Sequence, residues 1–192
     1  MEWKSPLYVN FIDHEKAFDS VDREPLWKLL RHYGVPQKLV FLIRNTYQGM
    51  TCRVAHDGQT SDSFEVKTGV RQGCLLPPFL VLLVIDWTTK TITSGRNNGI
   101  QWTLLTQLDF ADNLALLSHN RNQMQDKTTR LAKTSADVGL KINLKKTELI
   151  KINITAQTPI TVNGEAIREV EAFTYLGSVV DGLGGSDCNW QS

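Results

Sequence analysis

The sequence predicts an α+β domain in which an antiparallel sheet carries helices packed on one face. Three observations lead there. Short apolar runs alternate with stretches of helical spacing, so strands and helices interleave along the chain. Asp57-Gly58 and Asn163-Gly164 are hairpin turn pairs, which call for antiparallel neighbours. A content of 41% hydrophobic and 21% charged residues over 192 positions suits one globular domain large enough to bury a core.

The elements follow in order. Residues 7–13 form a short apolar strand. Leu26, Leu29, Leu30 and Tyr33 then fall at i, i+3, i+4 and i+7, the stripe of a helix that Asp22 caps, Pro25 tolerates in its first turn and Gly34 ends. Pro36 opens a second helix with Leu39, Leu42, Ile43 and Tyr47 as its apolar positions. Residues 51–67 fit a hairpin turning at Asp57-Gly58, with Val54, Phe64 and Val66 on one buried side. A long apolar helix covers residues 76–93. The pattern is extended from 104 to 117 and broken by the polar pair Asp112-Asn113, which predicts strand, turn, strand. Met124, Thr128, Leu131, Ser135 and Val138 place a helix over residues 122–138, stopped by Gly139. Ile150, Ile152 and Ile154 alternate with Lys151 and Asn153 in a half-buried strand. A hairpin at Asn163-Gly164 and a final strand over residues 173–180 complete the domain, and residues 181–192 are a Gly-rich tail.

Composition narrows the function. The longest apolar run, residues 75–85, contains Pro77 and Pro78 and is half the length a membrane span needs, about 20 residues. No basic segment followed by an apolar run opens the chain, so an intracellular protein, nuclear or cytoplasmic, with no membrane partner is expected. Cys52, Cys74 and Cys188 are far apart and odd in number, which speaks against a disulfide framework or a zinc site. With 21 basic and 20 acidic side chains, the net charge of +1 is not the signature of a stand-alone nucleic-acid binder.

Two carboxylates stand out because each follows an apolar extended segment, where a side chain projects from a fixed backbone. They are Asp13, in Phe11-Ile12-Asp13-His14, and Asp112, in Phe110-Ala111-Asp112-Asn113. Such a pair on adjacent strands suits two divalent ions and in-line phosphoryl transfer. Taken singly, Asp13 is equally a strand-end residue and Asp112 a turn former.

A larger pattern joins them. Residues 11–22 (FIDHEKAFDSVD) resemble motif A of non-LTR, LINE-type reverse transcriptases, residues 69–78 (GVRQGCLLPP) resemble motif B, and residues 110–113 stand in the place of motif C. Gly139-Leu140-Lys141-Ile142-Asn143 with Lys145-Lys146-Thr147 is similar to motif D, and residues 173–178 (FTYLGS) to the primer-grip motif E. The resemblance implies a polymerase palm with a partial fingers hairpin over residues 1–180, no thumb, and the tail at 181–192. It implies RNA-directed DNA polymerase activity with an RNA template, a DNA primer and deoxynucleoside triphosphates as partners, and two Mg2+ ions, with Mn2+ as the alternative cofactor.

Carried onto this chain, the resemblance makes Asp13 and Asp112 the metal ligands, with the backbone carbonyl of His14 completing one coordination sphere. Phe18 becomes a steric gate against the 2′-hydroxyl, Gln72 and Gly73 line the nucleotide and template pocket, and Arg71 faces either phosphate or solvent. Lys146 stands near the leaving pyrophosphate, and Tyr175, Leu176 and Gly177 place the primer end. Outside the motifs the same residues read as a core aromatic, a surface lysine and ordinary strand residues.

The chain departs from the pattern in three places. Asn113 replaces the second aspartate of motif C, keeping an acceptor oxygen but removing a charge that attracts divalent ions. Pro77 stands where a serine is usual, tolerable in a first helical turn. Only twelve residues precede Asp13 and a short tail follows motif E, where the family has basic fingers and a helical thumb. A catalytically inactive truncated remnant, at most a weak nucleic-acid or protein-binding module, is therefore the alternative reading. A small metal-dependent phosphohydrolase accounts for the carboxylates but not for motifs B, D and E.

Overall fold

The computed structural model of the chain describes residues 5–71, 73, 75–93, 107–110, 113–155, 158–175 and 178–181. Its helices are α1 (Ala17–Ser20), α2 (Arg23–His32), α3 (Gln37–Tyr47), α4 (Leu76–Thr93) and α5 (Arg121–Ala136). Its strands are β1 (Leu7–Ile12), β2 (Thr51–Cys52), β3 (Ala55–His56), β4 (Gln59–Thr60), β5 (Phe64–Glu65), β6 (Gln107–Phe110), β7 (Asn113–Ser118), β8 (Glu148–Ile152), β9 (Thr161–Val162), β10 (Glu165–Ala166), β11 (Arg168–Glu169), β12 (Ala172–Tyr175) and β13 (Ser178–Asp181).

Among the described residues the main sheet has the order β11-β8-β1-β7-β6. Central β1 runs antiparallel to β7, with Ile12 opposite Leu114, and to β8, with Val9 opposite Ile150. Side chains alternate across it, as a strand requires. Tyr8 and Ile12 join Leu114, Leu116, Leu149 and the α5 residues Met124 and Leu131 in one buried cluster, with Ile92 of α4 added. Val9 and Phe11 join Ala115, Leu117 and Ile150 on the opposite face, where the Phe173 ring stacks on Phe11 at 4.1 Å. The helices thus cover one face, as expected, and the other is met by the hairpin of β12 and β13.

Local chemistry places the helices. The Asp22 side chain accepts from Glu24 N–H and caps α2, and Asn120 caps α5 through Asn122 N–H. Gly34 and Gly139, at φ 80°, follow α2 and α5 in the left-handed conformation that ends a helix. Leu26, Leu29, Leu30, Val40, Leu80, Val84 and Ile85 bury a second core among α2, α3 and α4. Tyr33 and Lys90 both donate to Asp86, at 2.5 and 2.7 Å, tying α2 to α4. Burial and the bond to Asp86 hold the Tyr33 phenol well above its usual range. Among the described residues no helix is long and apolar enough to cross a membrane.

Several expectations need correction. In α3 the buried line is Val40, Ile43 and Tyr47, while Leu39 and Leu42 are about half exposed, because α3 meets the core along one stripe only. The 51–67 hairpin exists, turned by Asp57 and Gly58 at φ 47° and 73°, but Val54 and Phe64 are exposed. A ribbon of two-residue ladders with no second layer has no buried side. Asn113 pairs with Phe110 as the end rung of the β6–β7 ladder, so the two strands expected on either side of residues 111–112 are present, with Asn113 opening the second. The expected single strand over 173–180 is the hairpin of β12 and β13, with Tyr175 opposite Ser178. Edge strand β11 runs parallel to β8, an exception to the antiparallel sheet, and its two polar residues carry no alternation to announce it. The expected tail lies outside the described residues apart from Asp181 in β13.

Candidate active site

Strand β1 ends at Ile12, and the ten residues from Asp13 to Asp22 that lead into α2 are held from both sides by backbone hydrogen bonds. On one side, Asn143 N–H donates to Asp13 O at 2.8 Å, Glu15 N–H to Lys141 O at 2.8 Å and Asp22 N–H to Val138 O at 2.9 Å. The Asp13 N–H points at the buried Thr147 hydroxyl, 3.5 Å away. Gly139 is required here for a second reason besides its φ: a Cβ would stand 2.7 Å from Ser20 O and Asp22 N.

On the other side, Gly69 N–H donates to Val21 O at 2.8 Å, Val70 N–H to Phe18 O at 2.7 Å and the Thr68 hydroxyl to Asp19 O at 3.0 Å. Gly69 takes φ 73°, and a Cβ on it would lie 2.6 Å from Asp19 Cα and Phe18 O. Only glycine permits that approach. The segments read as motifs B and D therefore dock against opposite edges of the segment read as motif A.

Asp13 opens onto a cleft of about 350 Å3 lined also by Phe11, Lys145, Lys146, Glu148, Arg168 and Phe173. Lys146 Nζ stands 3.8 Å from Asp13 Oδ2, with the lysine exposed and the carboxylate largely sheltered. Glu148 is buried at the β8 end and paired with Arg168 of β11. A sheltered carboxylate in a cleft shared with Lys145, Lys146 and Arg168 is a place for oxygen ligation of a metal and for a polyanion in contact with it. Among the described residues no group of three or more His, Cys, Asp and Glu is arranged to hold a metal. The donor chemistry of Asp13 nonetheless fits a hard divalent ion, which needs only one or two protein carboxylates when substrate phosphates complete its sphere.

The remaining sequence candidates are spread around this centre. The His14 ring is buried against α5, with Nε2 3.1 Å from Ser135 Oγ, so only its backbone faces the role expected of it. Phe18 is half-buried against the helical core. Arg71 is exposed and lines a separate cavity of about 800 Å3 with Asp19, Met50, Phe64, Thr68 and Val70. Gly73 takes φ 95°, with no atom within 4 Å of its Cβ direction. Tyr175 and Asn113 are placed as strand backbone. Gln72, Asp112, Leu176 and Gly177 lie outside the described residues, and so does the expected approach of Asp13 to Asp112.

Three residues carry contacts that the sequence did not announce. Thr147 and Asn143 hold the Asp13 backbone, and Arg23 gathers the carbonyls of Tyr47, Val66, Thr68 and Gly69 onto one guanidinium. Burial lowers the Arg23 pKa, while Tyr47 and Glu65 act against that shift. Arg23 had one signal, its place directly after the Asp22 cap, and Asn143 and Thr147 had theirs in the segment similar to motif D.

Comparison with known proteins identifies the family and the fold. Residues 2–180 match the family described as reverse transcriptase (RNA-dependent DNA polymerase). The Pol polyprotein of the R2DM retrotransposable element of Drosophila melanogaster is 29% identical over 95% of this chain, and the RNA-directed DNA polymerase of the mobile element jockey, from the same organism, is 27% identical over 94%. The chain spans about a fifth of the length of these relatives, 18% and 20%. Among solved structures, a truncated apo telomerase from Candida tropicalis superposes with a TM-score of 0.65 at 16% identity, covering 95% of this chain and 35% of that one. The telomerase of that organism in complex with a fragment of telomeric RNA gives 0.64 at 16% identity, covering 96% and 30%. These last two likenesses are of fold.

Proposed function

Because the chain belongs to the reverse transcriptase (RNA-dependent DNA polymerase) family, of the non-LTR retrotransposon kind, we propose that the cleft at Asp13 is where a deoxynucleotide is joined to a primer 3′-hydroxyl on an RNA template. The observation that carries the reading is the fixation of Asp13: its peptide is bonded to Asn143 and directed at Thr147, and its carboxylate is turned to an open cleft beside Lys146. Asp13 and Asp112 would hold two Mg2+ ions, or Mn2+, which would supply Lewis-acid chemistry for the hydroxyl and the triphosphate.

The chain's own residues do the rest. Asp13 holds its carboxylate in place without reorganisation, and the His14 carbonyl would complete part of one metal coordination sphere. Lys146 offsets charge on the departing pyrophosphate and hands it a proton. Phe18 excludes the 2′-hydroxyl by contact. Arg71, Gln72 and Gly73 receive the nucleotide and template, and Tyr175, Leu176 and Gly177 seat the primer end. Residues 1–180 act as palm and partial fingers.

A second reading rests on Asn113: with one carboxylate fewer, the chain binds nucleic acid weakly and copies nothing. Primer extension on an RNA template, titrated with Mg2+, separates the two. Extension that is lost in Asp13→Asn and rises in Asn113→Asp, most clearly at low Mg2+, supports the polymerase. RNA retention with no extension by either the wild type or Asn113→Asp favours the remnant.

A further inference from the structure

We infer that Arg23 is a positioning residue for nucleotide entry: by gathering the carbonyls of the stretch that leads into Arg71 and Gly73, it sets where that stretch stands against Phe18. The inference rests on the polymerase reading above for its functional consequence, and on geometry alone for the brace itself.

The guanidinium donates through Nε to Gly69 O at 2.8 Å, through Nη1 to Val66 O at 2.8 Å and Tyr47 O at 3.4 Å, and through Nη2 to Thr68 O at 3.0 Å. Its plane also stands 5.1 Å from the Tyr47 ring centroid. Four carbonyls from two separate stretches converge on one planar fork, a pattern that five fixed donors satisfy and a point-charge ammonium does not. The stretch so gathered is also bonded along its other edge. Gly69 N–H and Val70 N–H donate to Val21 O and Phe18 O, and the Thr68 hydroxyl to Asp19 O.

Arg23 is the first residue of α2, joined directly to that same connector through the cap Asp22. One rigid piece therefore grips residues 66–70 from two sides. The grip fixes the spacing between Phe18 and the residues that follow Gly69. Asp13 is held independently, by Asn143 and Thr147. Loosening Arg23 must then move the nucleotide pocket while leaving the reacting carboxylate in place, so KM for the nucleotide changes and kcat does not.

The test uses the full 192-residue chain with Arg23→Lys, and with Thr68→Val as an exposed second variant that opens the same grip without touching the arginine. Amide exchange is followed at Gly69 and Val70 and, as the reference, at Val9 and Ile150 in the sheet. Primer extension gives KM for the deoxynucleotide and kcat. We expect exchange at Gly69 and Val70 to quicken about tenfold in Arg23→Lys, with the sheet amides unchanged, and KM to rise about tenfold at constant kcat, with Thr68→Val shifting both the same way by less. Unchanged exchange at Gly69 and Val70, equal acceleration in the sheet, or a fall in kcat at constant KM overturns the inference. If the wild-type chain extends no primer, the polymerase reading is what fails, and the exchange measurement alone decides whether Arg23 braces the stretch.

Discussion

The ammonium of Lys146 stands 3.8 Å from Oδ2 of Asp13 across the mouth of the cleft. The lysine side chain is 69% exposed, so the pair adds at most about 1 kcal/mol to stability, as surface ion pairs do. In the proposed reading its value is chemical. Lys146→Gln is expected to slow primer extension by about a hundredfold while leaving the thermal midpoint nearly unchanged. Pre-steady-state extension and a melting curve on the same sample check both halves.

Phe18 packs on the helical core, and in the proposed reading it is also the sugar gate. Phe18→Val should therefore raise incorporation of ribonucleotides relative to deoxynucleotides by about tenfold or more, at a stability cost of about 1 kcal/mol. Competition between the two nucleotides, read beside a urea titration, is the measurement. An unchanged ratio with the stability loss present makes Phe18 a core residue only.

Gly69 and Gly73 separate two uses of glycine. Both take positive φ, but only Gly69 has backbone within 2.6 Å of its Cβ direction. Gly69→Ala is expected to cost about 3 kcal/mol or more, from strain and collision together, whereas Gly73→Ala carries backbone strain alone, about 1–2 kcal/mol. Urea unfolding of the two variants should rank them in that order.

Lys127 is buried on α5 with Nζ donating to Leu117 O at 2.6 Å, and burial lowers its pKa to about 8. The unfolded chain holds this proton up to about pH 10.4. Between the two values the unfolded state binds more protons, so stability rises with pH across that window and is lost as pH falls through about 8. Comparing unfolding free energies of the wild type and Lys127→Met from pH 7 to 10.5 should show the rise in the wild type alone. Equal slopes in both would place the titration elsewhere.

Much of the secondary structure was legible. Met124, Thr128, Leu131, Ser135 and Val138 are all buried where their periodicity put them, and Asp57-Gly58 and Asn163-Gly164 make the turns their φ preferences demand. These are local signals, in which neighbours in sequence are neighbours in space. Where the reading failed, the deciding partner was distant. Leu39 and Leu42 have the right spacing to be buried, yet α3 meets α2 along Val40 and Tyr47. On the ribbon of β2 to β5, Val54 and Phe64 stay about half exposed.

By itself, then, the sequence determined most of the order of strands and helices, the turns and, through the resemblance of its motifs, the family. Each of these is carried by residue type and spacing along the chain. Only the tertiary structure decided that the Asp13 peptide is held by Asn143 and Thr147, that Gly69 and Gly139 press on opposite edges of one connector, and that Arg23 reaches the carbonyls of Val66, Thr68 and Gly69. Those contacts join residues 43 to 134 positions apart through backbone carbonyls and amides, which every residue possesses. Hydrogen bonds to the main chain leave no mark in the identity of the residue that accepts them, so chain folding alone selects which carbonyl an arginine finds.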